Sequence, residues 1–148
     1  NADFFADLLR WSSRLHEVGL AISHTQYHKH GAYLIKYSDL SGFSNQLQQA
    51  IATLIRSHRR KFSADIFSGY SDEQAKPLIR LSILLRLAVA LNRSRDSGQS
   101  TTFKIDADAD ALSIEFEPGW LKQHPLTRDD LKSEADQLKS VGYSLSIS

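Results

Sequence analysis

Apolar positions change their spacing once along the chain, from helical to alternating. Phe4, Phe5, Leu8, Leu9, Ser12 and Leu15 recur every three to four residues, which predicts an amphipathic helix over 4–17 with Gly19 placed to end it. A short helix is predicted over 32–37, then a loop from Ser38 to Gly42. Ser44 or Asn45 is placed to cap a helix whose face is Leu47, Ala50, Ile51, Leu54, Ile55 and His58, running to about Lys61. Asp72 is the expected N-cap of a long helix ending near Arg93, with Pro77 near its first turn and Leu78, Leu81, Leu84, Leu85, Ala88 and Leu91 on its apolar positions. After a polar linker at 96–100 the period becomes two. Phe103 and Ile105, then Leu112, Ile114 and Phe116, predict two strands joined as a hairpin around 106–110. A helix beginning at Thr127, with Asp129 and Asp130 in its first turn, is stopped by Gly142, and Tyr143, Leu145 and Ile147 alternate as a third strand. The fold class is therefore mainly α: a helical unit over 3–97, followed by a small β-β-α-β unit over 101–148.

Composition narrows the class without naming a function. The 148 residues are 41% hydrophobic and 24% charged, which is ordinary for a globular chain. Cysteine is absent, excluding disulfides, thiolate metal sites and a cysteine nucleophile. The sequence carries no membrane-length apolar run and no secretory leader, so a cytoplasmic location is expected. Asn1-Ala2 reads as the scar of tag removal, and the abrupt helical start reads as a piece of a longer protein. The net charge of +1 hides an asymmetry. Residues 1–100 hold 13 basic against 8 acidic side chains, and residues 101–148 hold 5 against 9. Five of the six histidines lie in the basic part. Two units with different tasks are implied.

Three clusters could carry chemistry. His16-Glu17, predicted to close the first helix, pairs imidazole with carboxylate as metal-dependent phosphohydrolases do, although two residues are not a ligand set. His24, His28 and His30 fall within seven residues, with Lys29 between the last two. They fit an anion contact, a solvated loop or a metal. Arg56, Arg59, Arg60 and Lys61 place four fixed cations within 56–61, around His58, at a predicted helix C-terminus. Complementing the helix dipole accounts for one or two of them; arginine forks also match phosphate oxygens, which points to a phosphate chain. Arg86 and Arg93, seven apart on the long helix, would share a face. Asp106, Asp108, Asp110 and Glu117 match calcium-loop spacing, but Ala111 stands where that loop needs glycine, and a solvated hairpin is the reading kept. Glycine-rich phosphate loops and a basic-aromatic RNA signature are both absent from the sequence.

Several stretches together resemble a known family: Leu15-His16-Glu17-Val18-Gly19-Leu20, His30-Gly31-Ala32-Tyr33-Leu34-Ile35, Asp39-Leu40-Ser41-Gly42-Phe43, 52–61, 84–88 and Gly119-Trp120-Leu121-Lys122-Gln123-His124-Pro125-Leu126. In this order, over nearly the whole chain, they resemble the C-terminal region of the exopolyphosphatase / guanosine pentaphosphate phosphohydrolase family. The resemblance implies an HD-like helical domain and a small α+β cap, lying after two catalytic domains of the actin/sugar-kinase type. It implies a parent enzyme that removes a terminal phosphate from inorganic polyphosphate or guanosine pentaphosphate (pppGpp), using Mg²⁺ bound outside this stretch. This stretch would hold the phosphate chain and form a homodimer; the location expected from the sequence is the cytoplasm or the periphery of the membrane. No catalytic residue or metal is expected within it. His16 and Glu17 would be a degenerate HD motif, because Val89 stands where many relatives have aspartate and Gln46 where some have glutamate. Arg56, His58, Arg59, Arg60 and Lys61, with His28, Lys29 and His30, are the candidate phosphate contacts. The 119–126 stretch leans to the guanosine pentaphosphate branch and 58–61 to the exopolyphosphatase branch. A stand-alone metal-dependent HD enzyme and a nucleic-acid-binding module are the alternatives, nucleic acid being the weaker.

Overall fold

A computed structural model describes residues 2–93 and 102–148. The chain divides into two compact units, 1–85 and 86–148. The linker expected at 96–100, and the expected boundary between 97 and 101, lie outside the described residues.

The first unit holds α1 (Ala2–Leu15), a 3-10 turn at Val18–Ala21, α2 (Tyr27–Tyr37), α3 (Asn45–Ser57), a second 3-10 turn at Ala64–Phe67 and the start of α4 (Asp72–Arg93). α3 packs against both α1 and α2. Its Ile51, Leu54 and Ile55 are fully buried, each worth about 1.5–3 kcal/mol relative to exposure. The cap at Ser44 is as predicted: its Oγ accepts from the Leu47 N–H at 3.1 Å. Gln48 on α3 donates through Nε2 to the carbonyls of Ile35 and Ser38, both at 2.7 Å. It thereby occupies carbonyls that the end of α2 cannot satisfy internally. Ser57 Oγ donates to Ser82 Oγ at 2.9 Å, tying α3 to α4.

Several local expectations change. α3 ends at Ser57 rather than Lys61, with His58 as its C-cap. α2 begins at Tyr27, not Ala32, so His28, Lys29 and His30 lie in its first turn and not in a loop. Gly19 does not stop a helix, since α1 already ends at Leu15. A Cβ on Gly19 would lie 1.9 Å from the Tyr27 carbonyl oxygen and 2.5 Å from the Gly31 nitrogen, and one on Gly31 would lie 3.0 Å from Ile55 Cγ2. The two glycines let the 3-10 turn lie directly on the start of α2. α4 is opened by Ser71 and Gln74, not by Asp72. The Gln74 N–H donates to Ser71 Oγ and the Ser71 N–H to Gln74 Oε1, both at 3.2 Å, a reciprocal capping box. Pro77 is the sixth helical residue of α4, in its second turn, where it leaves the Glu73 carbonyl without its helical donor.

The second unit carries the end of α4, β1 (Phe103–Asp108), β2 (Ala111–Phe116), a one-turn α5 (Trp120–Gln123), α6 (Pro125–Lys139) and β3 (Ser144–Ile147). The sheet order is β1-β2-β3. β1 and β2 are antiparallel, from Phe103↔Phe116 to Asp108↔Ala111, while β2 and β3 are parallel, with Ile114 opposite Ile147. The molecule is thus mainly α with a small three-stranded sheet, and α5 is an addition to the predicted β-β-α-β order. α6 starts at Pro125, two residues before the expected Thr127, so Asp129 and Asp130 fall beyond its first turn. Gly142 does close it: φ is +85°, and the Tyr143 N–H reaches the Leu138 carbonyl at 3.0 Å. Arg86 is buried and forms a two-pronged pair with Glu134 at 2.8 and 3.1 Å. It therefore does not share a solvent face with Arg93, which is exposed.

Candidate functional site

The first turn of α2 and the last turn of α3, with the segment after α3, border a cleft of about 500 Å³. Thr25, Gln26, His28, Lys29, Arg56, Arg60, Lys61, Ser63 and Ile66 line it. Four of these nine carry a fixed positive charge and none is a carboxylate. Gln26 and Arg60 both take the left-handed conformation, at φ +56° and +64°. That conformation is strained for residues with a Cβ, and such strain gathers at functional sites. At Arg60 it turns the chain just after the helix, where Arg60 and Lys61 join Arg56 and Lys29 at the cleft. The positive end of the α2 dipole lies on the same side.

The other predicted residues stand elsewhere. Arg59 does not line the cleft; its guanidinium carbon sits 4.2 Å from the Tyr27 ring centroid. His58 is buried, 2% exposed, and its Nδ1 lies 2.5 Å from the Ile55 carbonyl oxygen. That contact places the proton on Nδ1 and leaves Nε2 as an acceptor, buried and without a hydrogen-bond partner. The His16 ring stands edge-on to His58, with centroids 5.2 Å apart. His16 Nδ1 is 2.6 Å from the Ser13 carbonyl, and its Nε2 is 3.5 Å from Glu17 Oε1. His30 is half-buried and is not among the cleft residues.

Burial, and then Arg59, Arg56, Lys29 and Arg60, hold the His28 pKa down to about 4 from 6.5. His58 is lowered to about 4 as well, by burial first and then by His16, His28 and Arg59, against a raising contact from Ile55. Both imidazoles are neutral at pH 7, so they add no repulsion to the cations beside them. His16, His28 and His58, 42 residues apart at the extremes, thus interact around one spot. Among the described residues no group of three or more His, Asp or Glu side chains could hold a metal ion. Asp106, Asp108 and Asp110 are exposed on β1 and its turn. Among the described residues no helix is long and apolar enough to cross a membrane.

Comparison with known proteins matches residues 1–135 to Ppx/GppA phosphatase, domain III. The chain belongs to this family. A Ppx/GppA relative from Pseudoalteromonas translucida, named guanosine-5′-triphosphate,3′-diphosphate pyrophosphatase, is 36% identical over 146 residues, covering 95% of this chain. Relatives of the same name from Aliivibrio fischeri and Aeromonas hydrophila are 36% identical over 141 residues and 30% identical over 136. The chain spans about 28% of the length of the first of these Ppx/GppA relatives.

Sequence reasoning missed Thr25, Gln26, Ser63 and Ile66 in the cleft wall, and Tyr27 beneath Arg59. Thr25, Gln26 and Ser63 are polar residues outside the helices and Ile66 lies in the 3-10 turn Ala64–Phe67, so none of them carries a spacing signal. Tyr27 and Arg59 meet only because α2 and the end of α3 are neighbours.

Proposed function

We propose that this chain is the phosphate-chain-binding accessory region of a phosphohydrolase that removes the terminal phosphate of guanosine pentaphosphate or inorganic polyphosphate. The observation that carries the reading is the cleft in which Lys29, Arg56, Arg60 and Lys61 converge with no carboxylate among the lining residues. Four cations held together repel one another, and a polyanion relieves that repulsion through charge-assisted hydrogen bonds. Neutral His28 adds a donor or acceptor at the cleft wall, according to its tautomer. Cleavage and its Mg²⁺ are assigned to other domains of the parent enzyme. The names of the relatives favour guanosine pentaphosphate as the parent's substrate.

Calorimetric titration of the chain with long-chain polyphosphate tests the proposal. Arg56→Ala, Arg60→Ala and Lys61→Ala should each weaken binding by about 1–3 kcal/mol, and the differences should shrink at high salt. Affinities unchanged by all three substitutions at low salt would return these residues to the role of a solvated helix end.

A further inference from the structure

A second cleft, of about 490 Å³, adjoins the cationic one and shares Lys29, Arg56 and Ile66 with it. Its character is different. Tyr33, Tyr37 and Tyr70 line it, over a floor that includes Ala32 and the buried Ala52. The helical spacing explains the grouping: Lys29, Tyr33, Lys36 and Tyr37 follow one face of α2, and Gln49, Ala52, Thr53 and Arg56 one face of α3. Tyr33 and Tyr37 are 62% and 66% exposed, with ring centroids 4.8 Å apart. The Lys36 ammonium lies 5.4 Å from the Tyr37 ring. Again no carboxylate is among the lining residues.

A bare phosphate chain has use for the cations but not for two exposed aromatic faces. We infer that this tyrosine cleft, on α2 and α3 beside the cationic cleft, is a stacking site for the base of a nucleoside polyphosphate whose phosphates lie along Lys29, Arg56, Arg60 and Lys61. Joined aromatic and cationic surfaces suit a ligand that is planar at one end and polyanionic at the other. Sizes agree, since each cleft lies within the usual range for small-molecule sites. The polar edge of the second cleft adds direction. Thr53 Oγ1 donates to the Gln49 carbonyl at 3.0 Å, so the hydroxyl pair it makes with Tyr70 at 3.1 Å takes its proton from Tyr70. The Tyr70 oxygen is thereby left as an acceptor, which matches the N–H donors on the Watson–Crick edge of guanine. The inference rests on the phosphate-binding reading of the neighbouring cleft and goes beyond it by choosing a nucleotide over an inorganic chain.

The test compares two ligands of equal phosphate number, guanosine 5′-triphosphate 3′-diphosphate and inorganic pentapolyphosphate, by calorimetric titration of the full chain. The nucleotide should bind about tenfold or more tightly than the inorganic ligand, within the range for one stacked base. Tyr33→Ala with Tyr37→Ala should erase that advantage and leave pentapolyphosphate affinity unchanged. Tyr33→Phe with Tyr37→Phe should keep it, and both pairs are exposed enough to leave the fold intact by circular dichroism. Equal binding of the two ligands by the unsubstituted chain would overturn the base site alone. So would an alanine pair that loses both ligands alike, or one that keeps the nucleotide advantage. Loss of self-association in the alanine pair, with the nucleotide advantage retained, would assign the tyrosines to a protein contact instead. Binding of neither ligand by the unsubstituted chain would remove the phosphate reading and this one with it.

Discussion

The Arg59 guanidinium lies over the Tyr27 ring at 4.2 Å, and the same ring stands 5.6 Å from His58. A cation on an aromatic face is held by the ring quadrupole. Arg59 therefore differs from Arg60 and Lys61, its neighbours in sequence, which line the cleft. Arg59→Ala should lower unfolding free energy by about 0.5–2 kcal/mol, read from urea denaturation. Arg60→Ala should change polyphosphate affinity more than Arg59→Ala does. The reverse order in both measurements would show that Arg59 is a ligand contact and not a packing residue.

Stability should fall in mild acid. His28 and His58 titrate near pH 4 in the folded chain against 6.5 for a free imidazole. Between those values the unfolded chain binds more protons than the folded one, so stability rises with pH. The contribution is fully present above about pH 6.5 and is lost as pH falls toward 4, amounting to up to about 3 kcal/mol for His58 and to less for His28, whose shift owes more to solvent-screened cations. Urea midpoints measured from pH 7.5 down to 4.5 read this directly. His58→Gln should flatten the slope across that window, and an unchanged slope would mean that His58 takes up its proton at the same pH folded and unfolded.

Gly19 should tolerate no side chain. An added Cβ meets the Tyr27 carbonyl and the Gly31 nitrogen, both backbone atoms that cannot swing aside. Gly19→Ala should cost about 3 kcal/mol or more, beyond ordinary overpacking. By contrast, Gly69 has open space around it, so Gly69→Ala should change the thermal midpoint little. Similar midpoints for the two variants would mean that the 3-10 turn can move off α2 without loss.

Much of the fold was legible because its signals are local. The Ser44 cap, the Gly142 stop and the alternation of 103–116 each depend on neighbours within a few residues. The capping box at Ser71 and Gln74 is equally local, and its spacing was available in the sequence. The start of α2 was not, because Gln26 makes no side-chain cap and the helix begins where Gly19 lets the preceding 3-10 turn fold back onto it.

By itself the sequence determined the mainly α character, the later three-stranded sheet, the concentration of cations at 56–61 and the family resemblance. Spacing, caps and charge runs are properties of short stretches, and chain order preserves them. Only the tertiary structure decided how that cation run is divided. The end of α3 and the left-handed turn at Arg60 bring Arg56, Arg60 and Lys61 to Lys29, 27 residues before Arg56 in the chain. The same fold sets Arg59 over Tyr27 and buries His58 against His16. Which face a side chain takes after a helix ends is set by the backbone turn and by what packs there, and sequence spacing carries neither.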